Sequence, residues 1–91
     1  MFEIIKKAKL QPAEVAPWFK AHRVSVSMWL NGRGLPHHLR RERVDYVLKI
    51  IKSAVKAGDL PLPPYTSRRE RRLKVDAVLR KQEKNVRDEG L

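Results

Sequence analysis

The side chains able to do chemistry are few in kind. The chain has no cysteine, which excludes disulfides and thiolate zinc sites. Its histidines are His22, His37 and His38. The adjacent pair points to different sides of any helix, and no carboxylate stands at ligand spacing, so no metal is expected. Glu42 and Asp45 sit among Arg40, Arg41 and Arg43 and read as ion-paired, not as an acid–base pair. No glycine-rich phosphate loop or nucleophile elbow occurs. These absences lead us to expect neither an enzyme nor a cofactor. What stands out is cationic: Lys and Arg total 21 against 10 acids, a net charge of +11. A polyanion is the natural partner. Charge alone does not choose between DNA, RNA and an anionic membrane.

The elements that must position these cations read as helices. At 91 residues the chain suits one domain plus an appendage. No apolar run reaches the roughly 18 residues of a membrane span. The first ten residues mix lysines among apolar side chains, unlike a signal peptide. A cytoplasmic setting is expected: bacterial cytoplasm or nucleoid, or a host cell for a phage-encoded chain. Phe2 to Lys9 reads as a short helix. Pro12 opens a second, to about Phe19, with Val15, Ala16 and Phe19 inward. Pro17 inside it predicts a kink or a later start. A third helix spans Arg23 to Leu30, with Val26, Trp29 and Leu30 on its buried side. Asn31-Gly32-Arg33-Gly34 closes it, since Asn and Gly accept the left-handed geometry of a helix end. The flanks of Asn31-Gly32 do not alternate, which rejects a hairpin.

Pro36 opens the longest periodic stretch, ending near Ala57-Gly58. Val44, Val47, Leu48, Ile51, Ala54 and Val55 follow helical spacing. Tyr46 and Ile50 widen the stripe beyond the needs of one small core and are expected to form a dimer interface. Asp59 to Pro64 is proline-rich and reads as a stiff linker; its PxxP match is too weak to point to an SH3-type partner. Ser67 with Glu70 forms a capping box, so a final helix should run from about Arg68 to Arg87. Leu73, Ala77 and Arg80 lie on one face, broadened by Val75, Val78, Leu79 and Val86 into an apolar stripe. This basic tail reads as a solvated helix, an arm along DNA or a helix exchanged in a dimer.

Ala16, Phe19, Val26, Ser27, Trp29, Asn31, Gly32, Arg33 and Pro36 together resemble the helix-turn-helix of the lambda repressor and Cro-like family. Ser27-Met28-Trp29-Leu30-Asn31-Gly32-Arg33 looks like that family's common S-x-W-x-x-G-R close. Ala16 supplies the small residue where the two motif helices cross, and Val26 the apolar residue inside the reading helix. Lys20 departs from the family, standing at a turn usually given to glycine, and Pro17 is also unusual. The resemblance implies that the helix from Arg23 enters the major groove of double-stranded DNA. With Val26, Trp29 and Leu30 inward, Arg23, Val24, Ser25, Ser27 and Met28 are the candidate base readers. Arg23 can bond guanine O6 and N7 together or hold a phosphate alone. Val24 can meet a thymine methyl, or be core. The serines can bond bases and phosphates, or only their own helix. Met28 offers apolar contact. Gln11, Lys20, His22, Asn31, Arg33, Arg40 and Arg41 are the candidate backbone contacts. Gln11 lies where helix N–H groups favour a phosphate, and His22 where the family caps its reading helix.

The expectation is therefore an all-α protein: a lambda repressor-like domain of four to five helices over residues 1–58, a linker over 59–66 and an additional C-terminal helix over 67–91. Its expected function is sequence-specific binding of double-stranded DNA as a transcriptional regulator, foremost a repressor, acting as a homodimer on a palindromic operator. The resemblance and small size point to a phage or mobile element. Two alternatives stand beside it. One is an antitoxin-like module whose C-terminal helix takes a protein partner; the other is nonspecific binding of RNA or another polyanion.

Overall fold

The computed structural model describes residues 2–64 and 67–89. Residues 65 and 66, the last of the expected linker, and residues 1, 90 and 91 lie outside them. The elements are α1 (Glu3–Lys7), α2 (Pro12–Phe19), α3 (Arg23–Leu30), a 3₁₀ turn (His38–Arg40), α4 (Arg41–Lys56) and α5 (Arg68–Glu89). No strand occurs among the described residues, so the expected all-α class is the one found. No described helix is long and apolar enough to cross a membrane.

The first four helices end alike. After each, one residue turns left-handed: Lys9 (φ 54°), Lys20 (φ 54°), Gly32 (φ 70°) and Gly58 (φ 82°). The next residue's N–H then bonds back to the helix: Leu10 to Ile5, Ala21 to Ala16, Arg33 to Met28 and Asp59 to Ala54. This double closure satisfies carbonyls that a helix end leaves orphaned. It also explains the compactness of α1, whose last expected residues belong to its closing turn. Glycine enters the left-handed region without strain, whereas a residue with a Cβ is held there at a cost of about 1–2 kcal/mol.

α2 has the bounds expected for it and runs unbroken through Pro17, so the expected late start is corrected. Pro17 is exposed, and the missing N–H removes one bond without stopping an eight-residue helix held by packing at Val15, Ala16 and Phe19. α4 begins later than expected. Pro36 lies near the end of the loop that follows α3 and does not open a helix, and His37 starts the 3₁₀ turn by accepting the Leu39 N–H on Nδ1 at 3.3 Å. From Arg41 the helix buries Val44, Val47, Ile50, Ile51 and Ala54.

The largest departure concerns α5. Val75, Leu79 and Val86, expected to broaden its apolar stripe, are buried together with Gln82, while Leu73 is 64% exposed and Ala77 and Arg80 are exposed. At about 100° per residue the two sets lie on opposite sides of the helix. Packing selects the set with three large apolar members. The fourth, Gln82, is satisfied: its amide donates to Asp59 at 2.8 Å and its oxygen accepts from the Ser53 hydroxyl at 2.8 Å. α5 lies on α4 and joins the same core as α1 to α4, with buried Leu60 closing the space beneath the linker. This placement corrects the expectation for Tyr46 and Ile50. Ile50 is 0% exposed, and the half-buried Tyr46 donates its hydroxyl to Glu83 at 3.0 Å and accepts from Arg87 at 3.1 Å. The stripe reserved for a second copy is covered by the chain's own last helix.

Candidate nucleic-acid interface

α2 and α3 are held by short-range chemistry at both ends and by aromatic packing between them. Gln11 caps α2 in a reciprocal arrangement with Glu14, whose carboxylate accepts the Gln11 N–H at 2.7 Å. The left-handed Lys20 turns the chain toward α3, and Arg40 donates to the Lys20 carbonyl at 2.7 Å. Arg43 donates to the Trp18 carbonyl at 2.8 Å. The end of the 3₁₀ turn and the first turn of α4 thus occupy carbonyls at the end of α2 and fix the angle at which α3 departs. His22 caps α3 by accepting the Val24 N–H on Nδ1 at 3.2 Å, which leaves Nε2 as the protonated nitrogen of the neutral ring.

The inner side of α3 is pinned by Val26, 0% exposed, and by an aromatic trio. Trp29 stacks on Phe2 with centroids 5.8 Å apart and meets Phe19 edge-on at 6.0 Å. Phe2 and Phe19 meet edge-on at 6.4 Å. Such pairs contribute about 0.5–1.5 kcal/mol each beyond area burial, enough to hold so short a helix in one orientation. Trp29 and Leu30 are half-buried, as expected of inward residues at the edge of a small core.

The outer side is open. Val24 is 55% and Met28 44% exposed, Arg23 is exposed, and Ser25 and Ser27 are half-buried. Of the candidate backbone contacts, Gln11, Lys20, His22, Asn31, Arg33, Arg40 and Arg41 are all exposed. Several also have internal roles. Gln11 and His22 are caps, Arg40 spends one N–H on the turn, and Asn31 donates weakly to the Ser27 hydroxyl at 3.5 Å. The side chains of Arg23, Arg33 and Arg41 make no hydrogen bond or ion pair among the described residues. Gln11, Arg23, Val24 and Ser27 meet along one groove of about 910 Å³.

The opposite wall of that groove was missed by sequence reasoning. It is formed by the start of α5, with Arg68, Arg71 and Arg72. Arg71 donates to Glu14 at 2.8 Å and to the Lys9 carbonyl, so it docks α5 against the entrance of α2. The available signal was the capping box at Ser67, where the Ser67 hydroxyl accepts the Glu70 N–H at 3.4 Å, followed by arginines at helical spacing. No family profile, no curated protein and no solved structure matches this chain.

Proposed function

We propose that the chain binds double-stranded DNA sequence-specifically, with α3 entering the major groove, and that it regulates transcription by occupying its site. The observation that carries this reading is the geometry of α3. Val26 and Trp29 hold it from behind, and Arg23, Val24 and Met28 stand free on the far side, in a chain of net charge +11. A helix so presented fits the major groove, where an arginine, two hydroxyls and two apolar side chains offer the chemistry of base readout. The open cations Arg33 and Arg41, with Lys20 at the turn, supply the phosphate contacts that set register. Repression follows from occupancy, which needs no further domain. A homodimer on a two-fold operator, with half-sites about 34 Å apart, completes the proposal. Because α5 covers Tyr46 and Ile50, that dimer would use another surface.

Selecting bound duplexes from a random pool tests the reading. An enriched site is expected, with inverted symmetry if the chain acts as a dimer. Arg23→Ala should weaken binding by about 1–3 kcal/mol and relax preference at one base pair. A pool that stays random while RNA competes as well as duplex would replace this reading with nonspecific polyanion binding.

A further inference from the structure

We infer that the first turns of α5 form a second grip on the same duplex, in which Arg68 and Arg72 hold the phosphate strand bordering the groove that α3 enters. The inference rests on the DNA-binding reading above and adds the element that reading lacks.

Along α5 the inward face runs Val86, Gln82, Leu79 and Val75, all buried. Continued toward the start of the helix in steps of three and four, the same face reaches Arg72, Arg71 and Arg68. Where the helix lies on α4 its face is apolar; where it overhangs the groove beside α3 the face becomes guanidinium. Arg71 is committed to Glu14 and the Lys9 carbonyl. Arg68 and Arg72 are exposed, and their side chains make no hydrogen bond or ion pair among the described residues. Among the described residues, the single carboxylate lining the groove is Glu14, 8% exposed and already paired. Arg23, Arg68 and Arg72 therefore face one concavity with no internal counter-charge, an arrangement that an incoming anion relieves. Two observations favour a duplex strand over a small phosphorylated ligand. The concavity opens onto the exposed side of α3, and Arg23 and Val24 belong to both surfaces. A strand passing α3 thus runs directly between the walls. Planar guanidiniums suit phosphate oxygens, which they bond in pairs.

The test is binding of the full chain to its selected duplex across a range of salt concentrations. Arg68→Ala with Arg72→Ala should lower affinity about 10- to 60-fold near 0.1 M salt and reduce the slope of log K against log salt by about 1–2. Selected and random duplexes should lose equally, so sequence preference is retained. Neither side chain has an internal partner, so the thermal unfolding of this variant should match that of the unaltered chain. Lys49→Ala with Lys52→Ala, exposed lysines of α4 outside the groove, controls for net charge. An unchanged slope, or a loss no larger than the control's, overturns the inference and leaves α3 binding intact. Tight binding of a nucleoside triphosphate without DNA, lost in the Arg68/Arg72 variant, also overturns it, by making the groove a small-anion site. Failure of the unaltered chain to bind any duplex overturns the reading beneath it.

Discussion

Glu14→Ala should destabilise the protein out of proportion to its position near the surface. The carboxylate is 8% exposed. It takes the Gln11 N–H at 2.7 Å and the Arg71 guanidinium at 2.8 Å, while Arg71 reaches on to the Lys9 carbonyl. Three segments, the exit of α1, the entrance of α2 and the start of α5, thus meet at one ion pair. Breaking a buried pair from one side costs about 3–5 kcal/mol. Arg71 keeps 21% of its side chain in water, which reduces that to roughly 2–3 kcal/mol by solvent screening. The lost cap at Gln11 adds about 0.5–2 kcal/mol. A total of about 2.5–5 kcal/mol corresponds to a fall in Tm of about 12–25 °C for a domain of this size. Denaturant unfolding of Glu14→Ala, Arg71→Ala and the double variant closes a cycle, in which a coupling of about 1–3 kcal/mol is expected. Molar salt should reduce it little, because the pair is largely out of solvent. A coupling below about 0.5 kcal/mol would refute the reasoning: the start of α5 would then be held by its apolar face alone, and the groove wall beside α3 would lose its anchor.

Further expectations follow from the backbone and from the corrected face of α5. Lys20→Gly should raise stability by about 0.5–1 kcal/mol, the left-handed penalty less the extra unfolded-state entropy of glycine, read as a higher midpoint in urea; a lower midpoint would mean the Lys20 turn is not strained. Leu73→Ala, at a position 64% exposed, should change stability by less than about 0.5 kcal/mol. Leu79→Ala, at a position 0% exposed, should cost about 2–5 kcal/mol. The reverse order would make Leu73, Ala77 and Arg80 the inner face.

What the sequence made legible was local. Pro12 at a first helical position, Gly32 and Gly58 as left-handed closures and Ser67 as a cap act within a turn of themselves, and the bounds of α2 and α3 could be read from such signals. The inward side of α3 was also legible, because Val26 and Trp29 leave one face to the protein. Lys9 was not, since a lysine carries no local sign of a left-handed backbone. Pro36 misled by the same logic that served at Pro12: a proline that opens a helix and one that stiffens a loop look alike in isolation. The stripe of α5 was ambiguous because both of its faces carry apolar residues. The deciding one includes a glutamine whose partners, Ser53 and Asp59, come from another helix and its exit. Tyr46 and Ile50 looked surplus only because the helix that covers them could not be placed. The wall formed by Arg68, Arg71 and Arg72 was hidden for the same reason, Glu14 and Arg71 lying 57 residues apart in the chain.

Two of the left-handed corners are held by lysine where glycine would sit at ease, Lys9 beside the groove and Lys20 between α2 and α3. Each corner is a compromise between two incompatible demands. Relaxed backbone would require giving up an ammonium group of the basic surface, and keeping the ammonium leaves the bend wound against its preference. Sequences selected for heat resistance alone should drift to glycine at both corners and forfeit positive charge, while sequences selected for that charge should keep the lysines and tolerate the softer fold.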